Sequence, residues 1–418
     1  MYWVLPLAWG MSLLALLLLA VAPTVRDAEV ALRAGCGADE RAVATVRRGE
    51  PVTIRFAFAS ESGPCYKVAV ISDGKTVEGY LPAAAVAGVE EFERSRQNAP
   101  ALNNVTALPQ PDANAIRQAA AERGTGDPVA RAAQMVHNGQ PVEALELLEK
   151  TLRANRRDAG ILAMAGLAAY QGDQVRKALD YWKESLEMSP SPTVERLYRQ
   201  AEREAAADLS TEKLVGARFL LRFQPGEVTA EQARGVVPLL DAEFGRLSEQ
   251  LGCRAEERIV VVVQSREAYL KTTGAAEWSG GRYDGRIRVA LHEGGAGGAE
   301  TRRALIHEMV HACLARLGSW PAWLHEGLAQ KLSGEQMTPD RRAAIQKMAR
   351  SGEIPSLDRL TQTWSRLSAR HAATAYQTAL AAADLFYQHH GAWGVRNLLQ
   401  SPEQLARITE DLNRRLRE

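Results

Sequence analysis

Hydrophobic and polar positions change their period along this chain, and each period predicts a different element. From Ala28 to Val89 the period is two. Val43-Ala44-Thr45-Val46, Val52-Thr53-Ile54-Arg55-Phe56-Ala57-Phe58, Tyr66-Lys67-Val68-Ala69-Val70 and Val77-Glu78-Gly79-Tyr80-Leu81 read as short strands. They are separated by Arg48-Gly49-Glu50, Ser62-Gly63-Pro64 and the hairpin signal Ser72-Asp73-Gly74-Lys75. Roughly five strands at this spacing predict a small all-β barrel over residues 28–90. Pro100, Pro109 and Pro111 then interrupt any period, so residues 91–127 read as a linker with a helical stretch at Asn114–Arg123. Beyond Pro128 the period is helical. Glu143-Ala144-Leu145-Glu146-Leu147-Leu148 repeats as Lys177-Ala178-Leu179-Asp180-Tyr181-Trp182 at an offset of 34 residues, with Leu152 and Leu186 in register. Gly139 and Gly172 fall in the predicted inter-helix turns, one residue out of step, and Thr193–Ala207 closes the array as a capping helix. From Val215 onward strands and helices mix. Ala217–Phe223 and Ile259–Val263 read as buried strands, Arg286–Leu291 as a strand near a sheet edge, and Thr229–Leu251, Asp340–Arg350, Ala372–His389 and Glu403–Arg415 as helices. The expected architecture is therefore multidomain: a barrel, helical hairpins, and an α+β domain over residues 215–418.

The first 25 residues form a class of their own. Met1 to Val25 carries no charged side chain, and a helix of that length spans about 37 Å, enough for a bilayer core. It reads as a signal peptide or an N-terminal anchor. Ala20-Val21-Ala22 fits a cleavage site, but Pro23 is a poor start for a mature chain and no basic segment precedes the apolar run, so a retained anchor is favoured. Arg26 just after the span argues for a cytoplasmic body, whereas the barrel argues for export, and the expectation is the cell envelope. The 418 residues give room for two to four domains, and 51 basic against 50 acidic residues leave no global field for nucleic acid. Of the four cysteines, Cys36 and Cys65 share the barrel segment and could pair, while Cys313 reads as a small core residue.

The chemistry concentrates in His307-Glu308-Met309-Val310-His311. Residues four apart on a helix lie on one face, so both imidazoles can converge on one metal ion, and Glu308, about 100° round from His307, takes the general-base position. Thr301 is a candidate N-cap, and Gly318 and Pro321 end the helix. A catalytic zinc needs a third protein ligand. The metzincin positions hold Leu314 and Leu317, so that arrangement fails. Glu326, in Pro321-Ala322-Trp323-Leu324-His325-Glu326-Gly327-Leu328-Ala329, lies near the start of a second helix over Trp323–Leu332 and supplies a carboxylate. His325 points away from that ligand direction and reads as an outer or surface residue. His292-Glu293, beside a glycine-rich stretch, lacks a partner histidine and reads as a loop.

Residues from about Arg218 to Asn397 resemble the peptidase MA-like domain, a gluzincin group. The likeness rests on Ile259–Val263, Ser265-Arg266-Glu267-Ala268-Tyr269, Trp278 through Gly285-Arg286-Ile287, and the two zinc segments. It implies a thermolysin-like zincin fold with a small sheet above the active-site helix, Zn²⁺ on His307, His311 and Glu326, and Glu308 as base. Ala375-Tyr376-Gln377 resembles the helix that follows the third ligand in such enzymes, where Tyr376 could serve the developing oxyanion. The 34-residue offset resembles tetratricopeptide repeats over residues 128–210, which implies a protein partner or a rigid spacer. Ala31–Gly35, Arg48-Gly49-Glu50 and Gly79-Tyr80-Leu81-Pro82 resemble a bacterial Src-homology-three-type domain, which implies a cell-wall peptide or no ligand at all. The expected function is a zinc metallopeptidase acting on protein or peptide substrates. Its rivals are an envelope scaffold with an idle zinc domain and a peptidase of peptidoglycan cross-links.

Overall fold

The computed structural model describes residues 22–34, 40–60, 63–72, 74–90, 112–124, 126–154, 158–207, 211–273, 280–291, 295–361, 364 and 369–418. The chain divides into two compact units, Met1–Pro100 and Ala101–Glu418.

The first unit is made of strands: β1 (Thr24–Val25), β2 (Glu29–Arg33), β3 (Ala42–Arg47), β4 (Thr53–Ser60), β5 (Gly63–Ser72), β6 (Lys75–Pro82) and β7 (Val86–Ala87). Five form an antiparallel sheet in the order β3-β2-β6-β5-β4, and β1 pairs with β7. The predicted hairpin joins β5 to β6, with Ser72 opposite Lys75 and Gly74 at φ 75°, the left-handed conformation such a turn needs. Alternate residues Leu32, Val46, Val68, Val70 and Leu81 are buried with Val25 and Val86 as the core. The expected closed barrel is not formed among the described residues, because no pairing links β3 to β4. The segment between those strands bonds to β1 and its neighbour instead: Val25 N donates to Glu50 O at 3.0 Å, Gly49 N to Val25 O at 2.9 Å and Val52 N to Pro23 O at 2.9 Å. Thr24 and Val25, expected to close the apolar N-terminal span, therefore belong to this sheet unit. The rest of that span, residues 1–21, lies outside the described residues, as does Cys36; Cys65 is disulfide-bonded. No helix among the described residues is long and apolar enough to cross a membrane.

The second unit opens with six helices: α1 (Asp112–Ala121), α2 (Pro128–His137), α3 (Pro141–Arg153), α4 (Ala159–Gln171), α5 (Val175–Met188) and α6 (Pro192–Ala207). α1 was expected within a linker. It buries Ile116 and Ala120 in the same core as Val136, Leu148 and Met164, so it belongs to the helical module. α4 is buried from Ile161 through Gln171, the pattern of a helix enclosed by neighbours on every side. The repeat's glycine mismatch also resolves. Gly139 takes φ 80° in the first turn; in the second, Gly172 is ordinary and Asp173 takes φ 65°. Aspartate tolerates this left-handed position better than most residues, and its carboxylate is used, as described below.

The remaining elements are β8 (Glu212–Val215), β9 (Phe219–Phe223), α7 (Ala230–Leu251), β10 (Ile259–Gln264), α8 (Arg266–Thr273), β11 (Gly281–Tyr283), β12 (Ile287–Ala290), α9 (Ala299–Leu317), α10 (Ala322–Leu332), α11 (Pro339–Arg350), α12 (Ala369–Gln400, bent at Gly391) and α13 (Leu405–Arg415). The sheet order is β11-β12-β10-β9-β8. The central three strands are parallel and the outer two antiparallel, so β12 lies one strand inside the edge formed by β11. Thr229 caps α7 in a reciprocal capping box with Gln232, which fixes where that crossover helix begins.

Strand alternation decides which face meets what. Phe219, Leu221, Phe223, Ile259, Val261, Val263, Ile287 and Val289 point into one core with Met309 and Val310 of α9. The opposite face carries Arg222 and Arg288, with Arg286 just before β12, and it is covered by the helical module. Arg286 and Arg288 both pair with Glu204 of α6, Arg288 at 2.9 Å. Arg222 pairs with Asp173 at 2.8 Å, and the Tyr170 hydroxyl accepts from Arg288 at 2.8 Å. Arg286 and Arg288 are each 1% exposed and Glu204 4%. Burial works to discharge Arg288; Glu204, Tyr170 and Asp284 more than reverse this and hold it well above the usual arginine range. The helical module and this five-stranded sheet are thus one structure, joined by desolvated charge pairs.

Candidate metal centre

The N-cap of α9 is Gly298 rather than Thr301, which lies inside the helix and is fully buried. Starting there, the helix carries His307 and His311 on one face, one turn apart, with ring centroids 4.9 Å from each other. Leu305, Met309, Val310, Cys313 and Leu314 occupy its buried sides and anchor it to the sheet and to α10. At its far end Gly318 leaves the helix at φ 147°, and the chain turns into α10.

α10 presents Glu326 to the two imidazoles. Nε2 of His307 lies 3.2 Å from Glu326 Oε2, and Nε2 of His311 lies 3.5 Å from the same oxygen. One donor atom from each of the three residues falls within 4.8 Å of the other two. The position of α10 depends on the residue after the glutamate. A Cβ on Gly327 would collide with the Ala379 carbonyl of α12, so only glycine allows this approach. The glycine of the W-L-H-E-G-L-A segment thus has a packing reason, and it is one residue from the proposed ligand.

The charges respond to this convergence. Burial works to protonate Glu326, but His311 and the hydrogen bonds from both histidines outweigh it and hold the carboxylate far below its usual range. Burial works to discharge His311, and Glu326 reverses that, raising it to about 9. Two imidazole nitrogens and one carboxylate oxygen this close together have donor chemistry that fits a divalent metal ion such as zinc. His325 does not join them. Its Nδ1 lies 3.4 Å from Nδ1 of His311, on the far side of that ring from Glu326, and burial with the His311 charge pushes it down to about 3. This contact sits where a metal-bound histidine takes its orienting partner.

Glu308 is 6% exposed and lies beside the cluster, under strand β11. A Cβ built on Gly281 would stand 2.6 Å from Glu308 Oε1, so β11 passes directly over this carboxylate. Burial raises its pKa, and His311, His307 and Arg282 offset only part of the rise. Tyr376 of α12 also reaches the site. Its hydroxyl is hydrogen-bonded to Glu326, burial raises its pKa well above the usual phenol range, and its ring packs edge-on against Trp364 at 5.0 Å. Trp278 and His292-Glu293 lie outside the described residues.

Two features were not read from the sequence. Cys313, two residues after His311, was expected as a core thiol. It is disulfide-bonded to Cys253, which follows the Gly252 cap of α7, with Cα atoms 5.4 Å apart. The only available signal was the even cysteine number, which does not assign partners. The second is Asp173, whose role follows from the repeat register only once the sheet is seen packed against it. The sequence matches no protein-family model and no curated protein, so its assignment rests on the geometry of its own residues.

Proposed function

We propose that this chain is a zinc metallopeptidase of the gluzincin type, with His307, His311 and Glu326 as ligands and Glu308 as general base. One observation carries the proposal: three donors from two helices converge within 4.8 Å, with a buried carboxylate beside them and a sheet edge above it. A zinc ion held there supplies Lewis acidity, polarising a peptide carbonyl and lowering the pKa of water toward about 7. The residues supply the rest. An extended peptide laid along β11 would bring its carbonyl over the cluster. Glu308 takes the proton of the attacking water and delivers it to the leaving nitrogen as the C–N bond breaks. Its raised pKa makes the carboxylate a stronger base than an exposed glutamate. Tyr376, expected as an oxyanion donor, enters this account through its bond to Glu326, which it steadies.

The same proposal takes residues 28–90 as a Src-homology-three-type unit and 128–210 as tetratricopeptide helices in an exported or membrane-anchored protein. The Cys253–Cys313 bond supports an oxidising compartment. The complete donor set with Glu308 in place weighs against an idle scaffold. Casein hydrolysis tests the proposal. The purified chain should cleave casein, lose that activity to a chelator and regain it with added zinc. Glu308→Gln should lower the rate by about a hundredfold to ten-thousandfold. Chelator-resistant cleavage, or a fully active Glu308→Gln chain, would refute it.

A further inference from the structure

The seam between the helical module and the sheet holds two kinds of arginine. At one end Arg222, Arg286 and Arg288 each face carboxylates of Asp173, Glu204 or Asp284. At the other end Arg117 of α1 and Arg316 of α9 enter no ion pair among the described residues. Arg316 lies against the α2–α3 turn: a Cβ built on Gly139 would stand 2.4 Å from its Nε. Its Nη1 donates to the Ala312 carbonyl and, at 3.4 Å, to the Tyr283 hydroxyl, and its Nε is buried without a partner. Arg117 donates to Asn114 and otherwise faces Tyr283 and His137. Burial lowers its pKa, and only Tyr283 works against the shift. Arg117, His137, Tyr283 and Arg316 are each half-buried.

This group has a fixed relation to the metal centre. Tyr283 ends β11 two residues beyond Gly281, which covers Glu308. Two strand residues span about 7 Å. Arg316 follows His311 by five residues on α9, about 7.5 Å along the axis. A guanidinium stays charged at any pH the protein meets, and holding one half out of water without a counter-charge is costly. Its fork of donors matches a carboxylate.

We propose that Arg117 and Arg316, with Tyr283 between them, form a carboxylate-binding subsite at the end of strand β11, filled by an acidic group of the peptide cleaved at the metal centre. This rests on the metallopeptidase reading for its substrate, and on the unpaired arginines for its chemistry. The carboxylate comes from an acidic side chain or from the peptide's C-terminus.

Fluorescence anisotropy on the full zinc-loaded Glu308→Gln chain separates these sources. The probes are labelled alanine-based hexapeptides in which one glutamate is stepped through the sequence, each matched with glutamine at the same place, and a free C-terminus is compared with an amidated one. The subsite predicts that one glutamate position, or the free terminus, binds about tenfold to a hundredfold more tightly than its neutral match. Arg117→Gln and Arg316→Gln should each shrink that ratio to about threefold or less. Arg117 lies on the outer helix α1, so its variant carries the test if Arg316→Gln fails to fold. Absence of any preference, absence of binding, or a preference that survives both substitutions would overturn the subsite. Cleavage of neutral and acidic peptides alike by the unsubstituted chain would sink the subsite and leave the metallopeptidase reading standing. Selective binding of acidic peptides with no cleavage would do the reverse.

Discussion

His311 and Glu326 neutralise each other in the metal-free site, and this has a measurable consequence. With burial opposing it, Glu326 raises His311 to about 9, so at neutral pH that imidazole carries a proton. A metal ion must displace it, because a coordinating histidine is neutral. The protonated form competes with zinc below about pH 9 and ceases to compete above it. Between pH 7 and 8.5 the affinity of the metal-free chain for zinc should therefore rise by about tenfold per pH unit. Titration with a competing chelator at several pH values checks this, and a flat profile would mean the pair is not a buried charge couple. For the metal-free fold the sign is opposite. The raised histidine pKa adds stability that is complete below its unfolded value and disappears as pH rises through 9. The clustering of His307, His311 and Glu326 was legible at this scale because a helix puts residues four apart on one face, and a nearby second helix offered a carboxylate. The direction of Tyr376 was not, since the sequence places its Cα on a helix but says nothing of what its hydroxyl meets. Arg117 and Arg316 gave no sign of their common neighbour Tyr283, being far apart in sequence and brought to it only by the fold.

At the scale of elements, Arg286–Leu291 was expected as a strand, and β12 runs over Ile287–Ala290 with Ile287 and Val289 in the core. The polar face was not legible in the same way. Arginines at alternate positions ordinarily indicate solvent, yet here they meet Glu204 and Tyr170 from helices that lie far earlier in the chain. The 34-residue offset located α3 and α5, and Pro192–Ala207 appears as the expected closing helix. The stripe on that helix that carries Gln200 and Glu204 serves the sheet rather than solvent. Removing Glu204 would leave two guanidiniums 1% exposed without their shared partner. Glu204→Ala should cost about 3–5 kcal/mol of stability, measured by chemical denaturation. A cost below about 1 kcal/mol would show that the seam contributes little more than a surface pair.

Across the whole molecule, the helical module, the sheet and the helices that carry His307, His311 and Glu326 form one unit, with one core in the helical module and another running from Phe219 to Leu416. The Cys253–Cys313 bond ties the end of α7 to the helix that carries both histidines, and both cysteines are fully buried. The helical stretch expected at Asn114–Arg123 appears as α1 but joins the helical core instead of the linker, because proline punctuation marks where regular structure stops, not where a module begins; residues 91–111 of the expected linker lie outside the described residues. The barrel was misread because counting strands does not determine which edges pair, and the segment after β3 bonds to β1. Bound metal in purified chains, measured by mass spectrometry, tests the central claim most directly. The unsubstituted chain and Glu308→Gln should each carry one zinc per chain, while His307→Ala and Glu326→Ala should carry almost none. Full zinc in the Glu326→Ala chain, or none in the unsubstituted one, would contradict the account.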